Sequence, residues 1–353
     1  MMWWLPLEII DKRYTKLTRE WFSNEFNKHR IQYAIIEGIQ SNDKINVGSF
    51  LDVFGTIKYK SSQIEKLADL FAKGKIQNND TFFIDDIWMP GLPGIKYMAN
   101  MSGIDVNIYG IYHAGSNIPS DDVAVKIGQN NWVKTYEQSL IDMCNGVFVG
   151  SEYHKQNIES YHDKKFNNIH ATGIAYKPNY VKQQIVVTNS ERENIVLFPH
   201  RIHPEKHPEI FDKLEKAVTK TRPDIKFIKT MEQNLSKQEL YNLMYKSKLI
   251  FSAADQENFG YATLEGATLG CDLLLPNKNV YPEFYSNDCI YECNTPINIL
   301  SNIVITKIDN FWPCSHNVLE WVDKSVDRMI NIMYSQLPRP KGRGLNCEIH
   351  RKS

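Results

Sequence analysis

The chain contains 353 residues, which is enough for two domains of ordinary size. Its 41 Lys and Arg residues balance its 41 Asp and Glu residues, and the sequence pI is near 7.1. A neutral chain has no global electrostatic attraction for nucleic acid, so binding to DNA or RNA would require a local basic groove. The apolar fraction of 42% is sufficient to fill a core.

The sequence carries no pattern typical of a membrane or export segment. No apolar run approaches the roughly 18 residues of a membrane-spanning helix, so we expect no membrane span. The apolar start, residues 1–11, is short and lacks both a basic region and a small-residue cleavage site, which disfavours a signal peptide. The six cysteines form no zinc-binding pattern. We therefore expect reduced thiols and a cytoplasmic protein.

The first half of the chain alternates strand patterns with helix patterns. Apolar runs predict strands at 3–7, 33–37, 81–86, 106–112 and 147–150. Apolar residues at helical spacing predict helices at 14–28, 61–73, 95–101 and 132–143, and a turn is predicted at 52–55. Such alternation is typical of an α/β domain with a parallel sheet.

Polar side chains follow several of these predicted strands. Asp85 and Asp86 end one strand, where a carboxylate pair is interpreted either as a metal site or as a cap or acceptor-binding group. His113 leaves the next strand, although a lone histidine is as often structural. Asp121 and Asp122 lie in the loop that follows and would be placed to orient an acceptor hydroxyl. The residues alone leave these alternatives open.

A polar stretch with Pro178 and Asn179 divides the chain into two parts. After it, strands are predicted at 194–199, 226–229, 248–254 and 272–276, and helices at 209–219, 236–246, 260–269 and 318–334. The predicted organisation is a first domain at 1–176, a linker at 177–193, a second domain at 194–316, a C-terminal helix at 317–336 that returns to the first domain, and a basic, disordered tail at 337–353.

The strongest functional pattern is a pair of carboxylates in the second domain. Glu257 and Glu265 are eight positions apart, about two turns if both lie on one helix. They follow an apolar strand, and ligands of parallel α/β sheets bind at the carboxyl ends of strands. A helix start favours phosphate, and an ionised carboxylate accepts hydrogen bonds from a ribose diol. On spacing alone, a surface helix that carries two glutamates is the more common interpretation.

A second pattern lies about fifty residues earlier. Arg201 and Lys206 flank the loop that follows the strand at 194–199. Two cations beside a helix start are suited to a diphosphate leaving group. The alternative, a charged surface loop, becomes less favourable once this loop is considered together with the carboxylate pair.

These residues carry a family resemblance, which is clear over about 195–290 and weak over the first half. The run Glu257-Asn258-Phe259-Gly260, followed by Glu265-Gly266, resembles the donor-site signature of GT-B glycosyltransferases of the GT4-like type. The variant continued at 273–283 is particularly similar to queuosine-tRNA mannosyltransferases and some phage glycosyltransferases. The resemblance implies the GT-B fold, an α/β architecture of two Rossmann-like domains facing a cleft. The family's glycine-rich first loop is missing here.

The resemblance also implies roles for individual residues. Glu265 would bind the ribose of a nucleoside diphosphate sugar, and Glu257 and His113 would contact the sugar. Arg201 and Lys206 would bind the diphosphate. The implied donor-binding set is Arg201, Lys206, Glu257, Asn258, Phe259, Gly260 and Glu265, and the implied catalytic set is His113, Arg201, Lys206 and Glu257. Since GT-B enzymes need no metal or cofactor, the acceptor-binding interpretation of Asp85 and Asp86 is preferred.

The predicted reaction is sugar transfer, with retention of anomeric configuration, from a UDP- or GDP-sugar to a hydroxyl. The abundance of Asn, Lys and Ile and the basic tail favour a phage enzyme that acts on a hydroxymethylated pyrimidine in DNA. Queuosine in tRNA and a cell-envelope glycan are the alternative acceptors. A non-catalytic binder of sugar nucleotides and a GT-B epimerase are the alternatives from other functional classes.

Overall fold

The computed structural model describes residues 1–9, 14–40, 53–128, 130–187, 191–313 and 316–335. The predicted basic tail at 337–353 lies outside these residues. Within them, every paired strand belongs to one of two parallel sheets, each with helices on both sides. No helix in the described ranges combines the length and apolar character that crossing a membrane requires.

The first sheet has six parallel strands in the order β2-β1-β3-β4-β5-β6. Its strands are β1 (Met2–Leu5), β2 (Tyr33–Ile35), β3 (Thr81–Ile84), β4 (Asn107–Ile111), β5 (Gly146–Val149) and β6 (Ile169–Ala171). The strands β1, β3 and β5 are buried along their whole length, as expected for strands with both faces covered. The strand predictions for this half of the chain are therefore correct to within a few residues.

Helices of the first half cover both faces of this sheet. They are α1 (Tyr14–Lys28), α2 (Val53–Ala72), α3 (Leu92–Met101), α4 (Asp122–Ile127), α5 (Asn131–Met143) and α6 (Glu152–His162). The short α7 (Pro178–Gln183) packs instead against the helix at Tyr261–Thr268 in the second half. The turn predicted at 52–55 is wrong from Val53 onward, because α2 begins there. Its first turns bury polar side chains, including Thr56, Lys60 and Gln63, so an apolar pattern could not reveal them.

The second sheet has five parallel strands in the order β11-β10-β9-β7-β8. They are β7 (Glu193–Phe198), β8 (Lys226–Lys229), β9 (Ser247–Phe251), β10 (Asp272–Pro276) and β11 (Ile290–Tyr291). The helices are α8 (Pro208–Val218), α9 (Lys237–Lys246), α10 (Tyr261–Thr268), α11 (Tyr281–Phe284), α12 (Ile297–Asp309), α13 (Val318–Asp323) and α14 (Ser325–Ser335).

The last helices join the two halves of the molecule. The segment predicted as one helix over 318–334 forms two, and the buried Ser325 at the junction donates a 2.5 Å hydrogen bond to the Ile174 carbonyl. Met329 and Met333 of α14 share one core with Trp4 of the first sheet. Trp321 of α13 instead stacks on Phe259 beside α10, with ring centroids 6.3 Å apart. The C-terminal helices therefore pack against both sheets.

The described cysteines differ in their chemistry. Cys144 and Cys271 are buried free thiols, and Cys293 is an exposed free thiol. Burial raises the pKa of the Cys144 and Cys271 thiols to about 12, so both are protonated at neutral pH. Cys289 is disulfide-bonded. The expectation of reduced thiols is therefore wrong for Cys289.

Candidate functional site

The acidic loop between β9 and α10 is shaped by one glycine. Gly260 has φ +87°, a left-handed conformation that side chains with a Cβ rarely adopt. A Cβ at this position would also lie 2.6 Å from the Thr263 hydroxyl oxygen. Because α10 begins only at Tyr261, Glu257 belongs to the loop and Glu265 to the helix. The two carboxylates therefore lie on different elements and do not share one helix face.

The loop that follows β7 and carries Arg201 and Lys206, here called the cation loop, lies against this acidic loop. Lys206 Nζ lies 2.5 Å from the Gln256 carbonyl oxygen and 3.4 Å from Glu257 Oε2, although the two loops are fifty residues apart in sequence. Adjacent strands explain the contact, since β7 pairs with β9 and both loops leave carboxyl ends. Arg201 Nη2 lies 2.7 Å from Glu205 in the same cation loop.

The electrostatics of this cluster favour a charged carboxylate beside a buried cation. Only 5% of Lys206 is exposed, and its ammonium group is hydrogen-bonded to the Gln256 carbonyl and to Glu257. Burial alone would raise the pKa of Glu257, but the positive charge of Lys206, the influence of His200 and the hydrogen bonds from Lys206 and the Phe259 amide together hold that pKa below its ordinary value. Glu257 is therefore ionised at neutral pH, and the pair is a fixed dipole at the sheet edge.

Glu265 occupies a separate environment inside α10. Its Oε1 lies 2.6 Å from Lys237 Nζ and accepts a 3.1 Å hydrogen bond from the Tyr241 hydroxyl. Both partners come from α9, so Glu265 ties the two helices together. The assignment of Glu265 to a ribose stays a prediction.

Asn258 and Phe259 connect the acidic loop to the first domain. The Asn258 side-chain amide donates to the His113 carbonyl at 3.1 Å, and the Asn258 carbonyl accepts from the Ser151 hydroxyl at 3.0 Å. The buried Phe259 ring packs on Phe284 of the second domain with centroids 4.9 Å apart, and it also lies against Gly150 of the first domain, where an added Cβ would be 2.9 Å from the ring. These residues therefore place the acidic loop against the carboxyl ends of the first sheet.

His113 lies at this interface as a neutral ring. Its Nε2 is 2.8 Å from the Asp85 carbonyl oxygen, and a carbonyl can only accept, so Nε2 carries the hydrogen. Burial lowers the pKa of His113, and the nearby Asp86 offsets this only in part. In the neutral ring Nδ1 is then the acceptor nitrogen. His113 in this state accepts a hydrogen bond from a hydroxyl rather than donating one.

Asp85 and Asp86 are neighbours in sequence with opposite surroundings. Asp85 accepts hydrogen bonds from the Trp4 indole at 2.6 Å and the Leu7 amide at 3.3 Å. Burial raises the pKa of Asp85 to about 7, against the opposing effect of these donors. Burial would raise the pKa of Asp86 as well, but Lys60 at 2.6 Å, His113 and the Trp88 amide together hold that pKa below its ordinary value.

The remaining acidic candidates lie at the start of α4. Asp121 is the N-cap of that helix, and its carboxylate accepts from the Val123 amide at 2.9 Å. Asp122 is the first residue of α4, and its side chain is not among those described. A capping function accounts for Asp121, and its assignment to an acceptor hydroxyl stays a prediction.

Within the described ranges, side chains grouped closely enough to share a metal ion lie away from these candidates. They are Glu25, His29 and Asp327, which join α1 to α14. Glu25 already pairs with Lys28 and with Lys177, each at 2.8 Å. The arrangement is that of an ion-pair network.

The two domains are in contact at the candidate site. Tyr14 of α1 stacks on Tyr261 of α10 with ring centroids 4.9 Å apart. Beside them Tyr14, Asp85, His113 and Tyr261 line a cavity of about 10 Å³, enough for one water molecule. Two larger cavities, of about 460 and 390 Å³, lie beside α14, remote from the acidic loop.

Sequence reasoning missed three residues of this interface. Tyr14 stacks on α10, and the Glu283 carboxylate accepts from the backbone amides of Glu152 and Tyr153, at 3.0 and 2.8 Å, across the two domains. His200 is buried beside Lys206 and Glu257. Only His200 had a usable signal, namely its position directly before Arg201.

No family model matches the chain. Among curated proteins, a tRNA-queuosine alpha-mannosyltransferase from Drosophila melanogaster is 38% identical over 78 residues, which are 22% of this chain and 19% of that relative. The match thus spans less than a fifth of the relative's length.

Solved structures match over much more of the chain. Sucrose-phosphate synthase from Thermosynechococcus elongatus superposes with TM-score 0.59 at 11% identity, covering 95% of this chain and 94% of that one. A glycosyltransferase from Rickettsia africae ESF-5 gives 0.56 at 13%, covering 95% and 99%. TarM from S. aureus gives 0.52 at 14%, covering 79% and 56%.

Two facing Rossmann-like domains with all-parallel sheets, and these neighbours, define the GT-B fold of glycosyltransferases. The predicted fold class and the resemblance to GT-B glycosyltransferases are confirmed. Identities of 11–14% establish the fold alone, so the reaction must be argued from the site.

Proposed function

We propose that the protein is a glycosyltransferase whose donor is a nucleoside diphosphate sugar, with UDP or GDP as the nucleotide. The observation that carries this proposal is the pairing of the buried Lys206 with Glu257, where the carboxyl ends of β7 and β9 lie side by side. A buried cation beside Arg201 is suited to a diphosphate, and the carboxylate is suited to sugar hydroxyls. TarM, one of the structural neighbours, was crystallised with UDP.

The proposed reaction breaks the bond between the anomeric carbon and the diphosphate oxygen. Negative charge grows on the departing phosphate, and Arg201 and Lys206 stabilise it there. Glu257 orients the sugar, Glu265 holds the ribose, and His113 accepts a hydrogen bond from a sugar or acceptor hydroxyl. The departing phosphate takes the acceptor's proton and the new bond forms on the same face, which gives retention. No step requires a metal ion.

The acceptor site is proposed on the side of the first domain, near Asp85 and Asp86. The primary candidate is a hydroxymethylated pyrimidine in phage DNA, modified in the host cytoplasm. The second candidate, queuosine in tRNA, is favoured by the 38% identity to a tRNA-queuosine mannosyltransferase over 78 residues. Both acceptors are modified bases that present a hydroxyl.

A donor screen tests the proposal. Thermal unfolding is followed with UDP-, GDP- and ADP-sugars, because a ligand that binds only the folded state raises the unfolding temperature. We expect a rise with one nucleotide, absent in Glu265→Ala and retained in Glu320→Ala, a control at an exposed glutamate. The same donor is then offered with hydroxymethylated DNA, tRNA and simple sugars. No rise with any donor would overturn the proposal.

A further inference from the structure

His200 is a buried polar side chain that the proposed reaction does not yet use. It lies two residues after the end of β7, only 5% of it is exposed, and its ring packs edge-on against Phe198 with centroids 5.1 Å apart. Its Nε2 is buried and has no hydrogen-bond partner. A buried polar atom without a partner is uncommon in folded proteins and destabilises them.

The surroundings of His200 are those of the proposed diphosphate site. Arg201, Lys206 and Glu257 are the charged groups that act on it. Burial, together with the positive charges of Lys206 and Arg201 and against the opposing charge of Glu257, lowers the pKa of His200 to about 3. The ring is therefore neutral at pH 7. A neutral imidazole can still donate one hydrogen bond, and it adds no third positive charge that Lys206 and Arg201 would repel.

We propose that Nε2–H of His200 donates a hydrogen bond to the β-phosphate of the donor, the phosphate that carries the sugar. This inference rests on the proposed function. We assign the β-phosphate rather than the α-phosphate because His200 lies near Glu257, the residue proposed to orient the sugar, as well as near Lys206. The bound donor satisfies the nitrogen that has no partner in the free protein.

The substitution His200→Phe is expected to weaken nucleotide binding without lowering the stability of the free protein. His200→Phe keeps a ring against Phe198 and removes the unpartnered nitrogen, so the free protein unfolds at the same temperature or higher. Binding of UDP or GDP, whichever the wild type prefers, weakens about 10- to 100-fold, because a hydrogen bond to a charged phosphate is lost. UMP or GMP, which lack the β-phosphate, bind both proteins equally.

Calorimetric titration of the full chain gives the test, with His200→Gln and His170→Phe as companions. Gln retains an N–H donor and is expected to restore affinity to within about threefold of wild type. His170 on β6 also has a buried Nε2 without a partner, so its replacement controls for loss of such a ring elsewhere. We expect wild-type affinity in His170→Phe.

The outcomes distinguish the inference from the function on which it depends. If the wild type binds nucleoside diphosphate and His200→Phe binds it equally well, the role of His200 is overturned. Equal weakening toward the mono- and diphosphate also overturns the β-phosphate contact. If the wild type binds none of these nucleotides, the proposed function itself is overturned.

Discussion

The proposed donor side, around Lys206 and Glu257, and the proposed acceptor side, around Asp85 and Asp86, both carry charged groups, but these groups are paired differently. On the donor side Lys206 lies 3.4 Å from Glu257, and Arg201 lies 2.7 Å from Glu205. On the acceptor side Asp86 is paired with Lys60, whereas the hydrogen-bond donors to Asp85 are a neutral indole and an amide. Lys206 and Arg201 can release their carboxylate partners and bind a diphosphate instead. The Asp85 carboxyl, which is half protonated near pH 7, is suited to a hydrogen bond with a neutral hydroxyl.

The largest expected effect is on the donor side. Lys206→Met removes the buried cation that we propose to stabilise the departing phosphate, and we expect turnover to fall about 100- to 1000-fold. Steady-state kinetics with the donor found by the screen would measure it. Lys278→Met is the matched control, since Lys278, which follows β10, pairs with the half-exposed Asp255 of the same acidic loop. Near-normal turnover in Lys206→Met would place the diphosphate elsewhere.

The acceptor side is probed by pH. The Asp85 carboxyl ionises near pH 7 when folded and near its ordinary value of 3.8 when unfolded. Between those values only the unfolded state releases the proton, so the free energy of unfolding falls as pH rises and levels off above 7. Asp85→Asn removes this loss, which is about 3 kcal/mol between pH 4.5 and 6.5.

Urea titrations of the wild type and Asp85→Asn at several pH values would measure this difference. Asp86→Asn supplies the contrast. In the wild type the Asp86 carboxyl has a lowered pKa in the folded state. Asp86 therefore contributes to the free energy of unfolding at pH values above its ordinary pKa, and this contribution is lost as the pH falls through the folded pKa. Parallel curves for the wild type and Asp85→Asn would show that Asp85 ionises normally in the fold.

A smaller effect is expected where the two sides meet. The Glu283 carboxylate accepts from the backbone amides of Glu152 and Tyr153 at the start of α6. In Glu283→Ala this link between domains is lost, and we expect KM for the donor to rise about tenfold while kcat changes less. Initial-rate measurements with Glu320→Ala alongside would show it. An unchanged KM would mean that this contact between the domains does not contribute to donor binding.

The smallest effect is expected from metal removal. The proposed chemistry places Lys206 and Arg201 where other enzymes use a divalent cation. Dialysis against EDTA should therefore leave turnover within about twofold of the untreated enzyme. A loss restored by adding Mg²⁺ or Mn²⁺ would revive the metal interpretation of Asp85 and Asp86.

The donor side was the more predictable from sequence. A parallel sheet places strand ends side by side, so cations after one strand and carboxylates after another were expected to meet, as Lys206 and Glu257 do. The acceptor side depends on contacts between distant segments. Burial raises the pKa of Asp85 and the hydrogen bond from the Trp4 indole lowers it, and neither effect can be inferred from the sequence around position 85.

Polar burial explains the other differences. The early start of α2 was hidden because its inward face carries Lys60 and Gln63, whose partners, Asp86 and the carbonyls of Pro6 and Ile36, lie far away in sequence. His200 was passed over for a similar reason. A histidine inside a polar loop gives no sign of being buried, and only packing against Phe198 makes it so.

The packing of α14 has a consequence for synthesis of the protein. The core that contains Trp4 and Phe26 of the first domain also contains three residues of α14, namely Met329, Ile330 and Met333. Part of the core of the first domain is therefore covered by nearly the last described residues of the chain. Domains generally fold as they leave the ribosome, N-terminal first. Here the first domain must wait, with part of its apolar surface uncovered, until the second domain has been translated. A nascent chain halted before α14 would therefore expose that surface to chaperones.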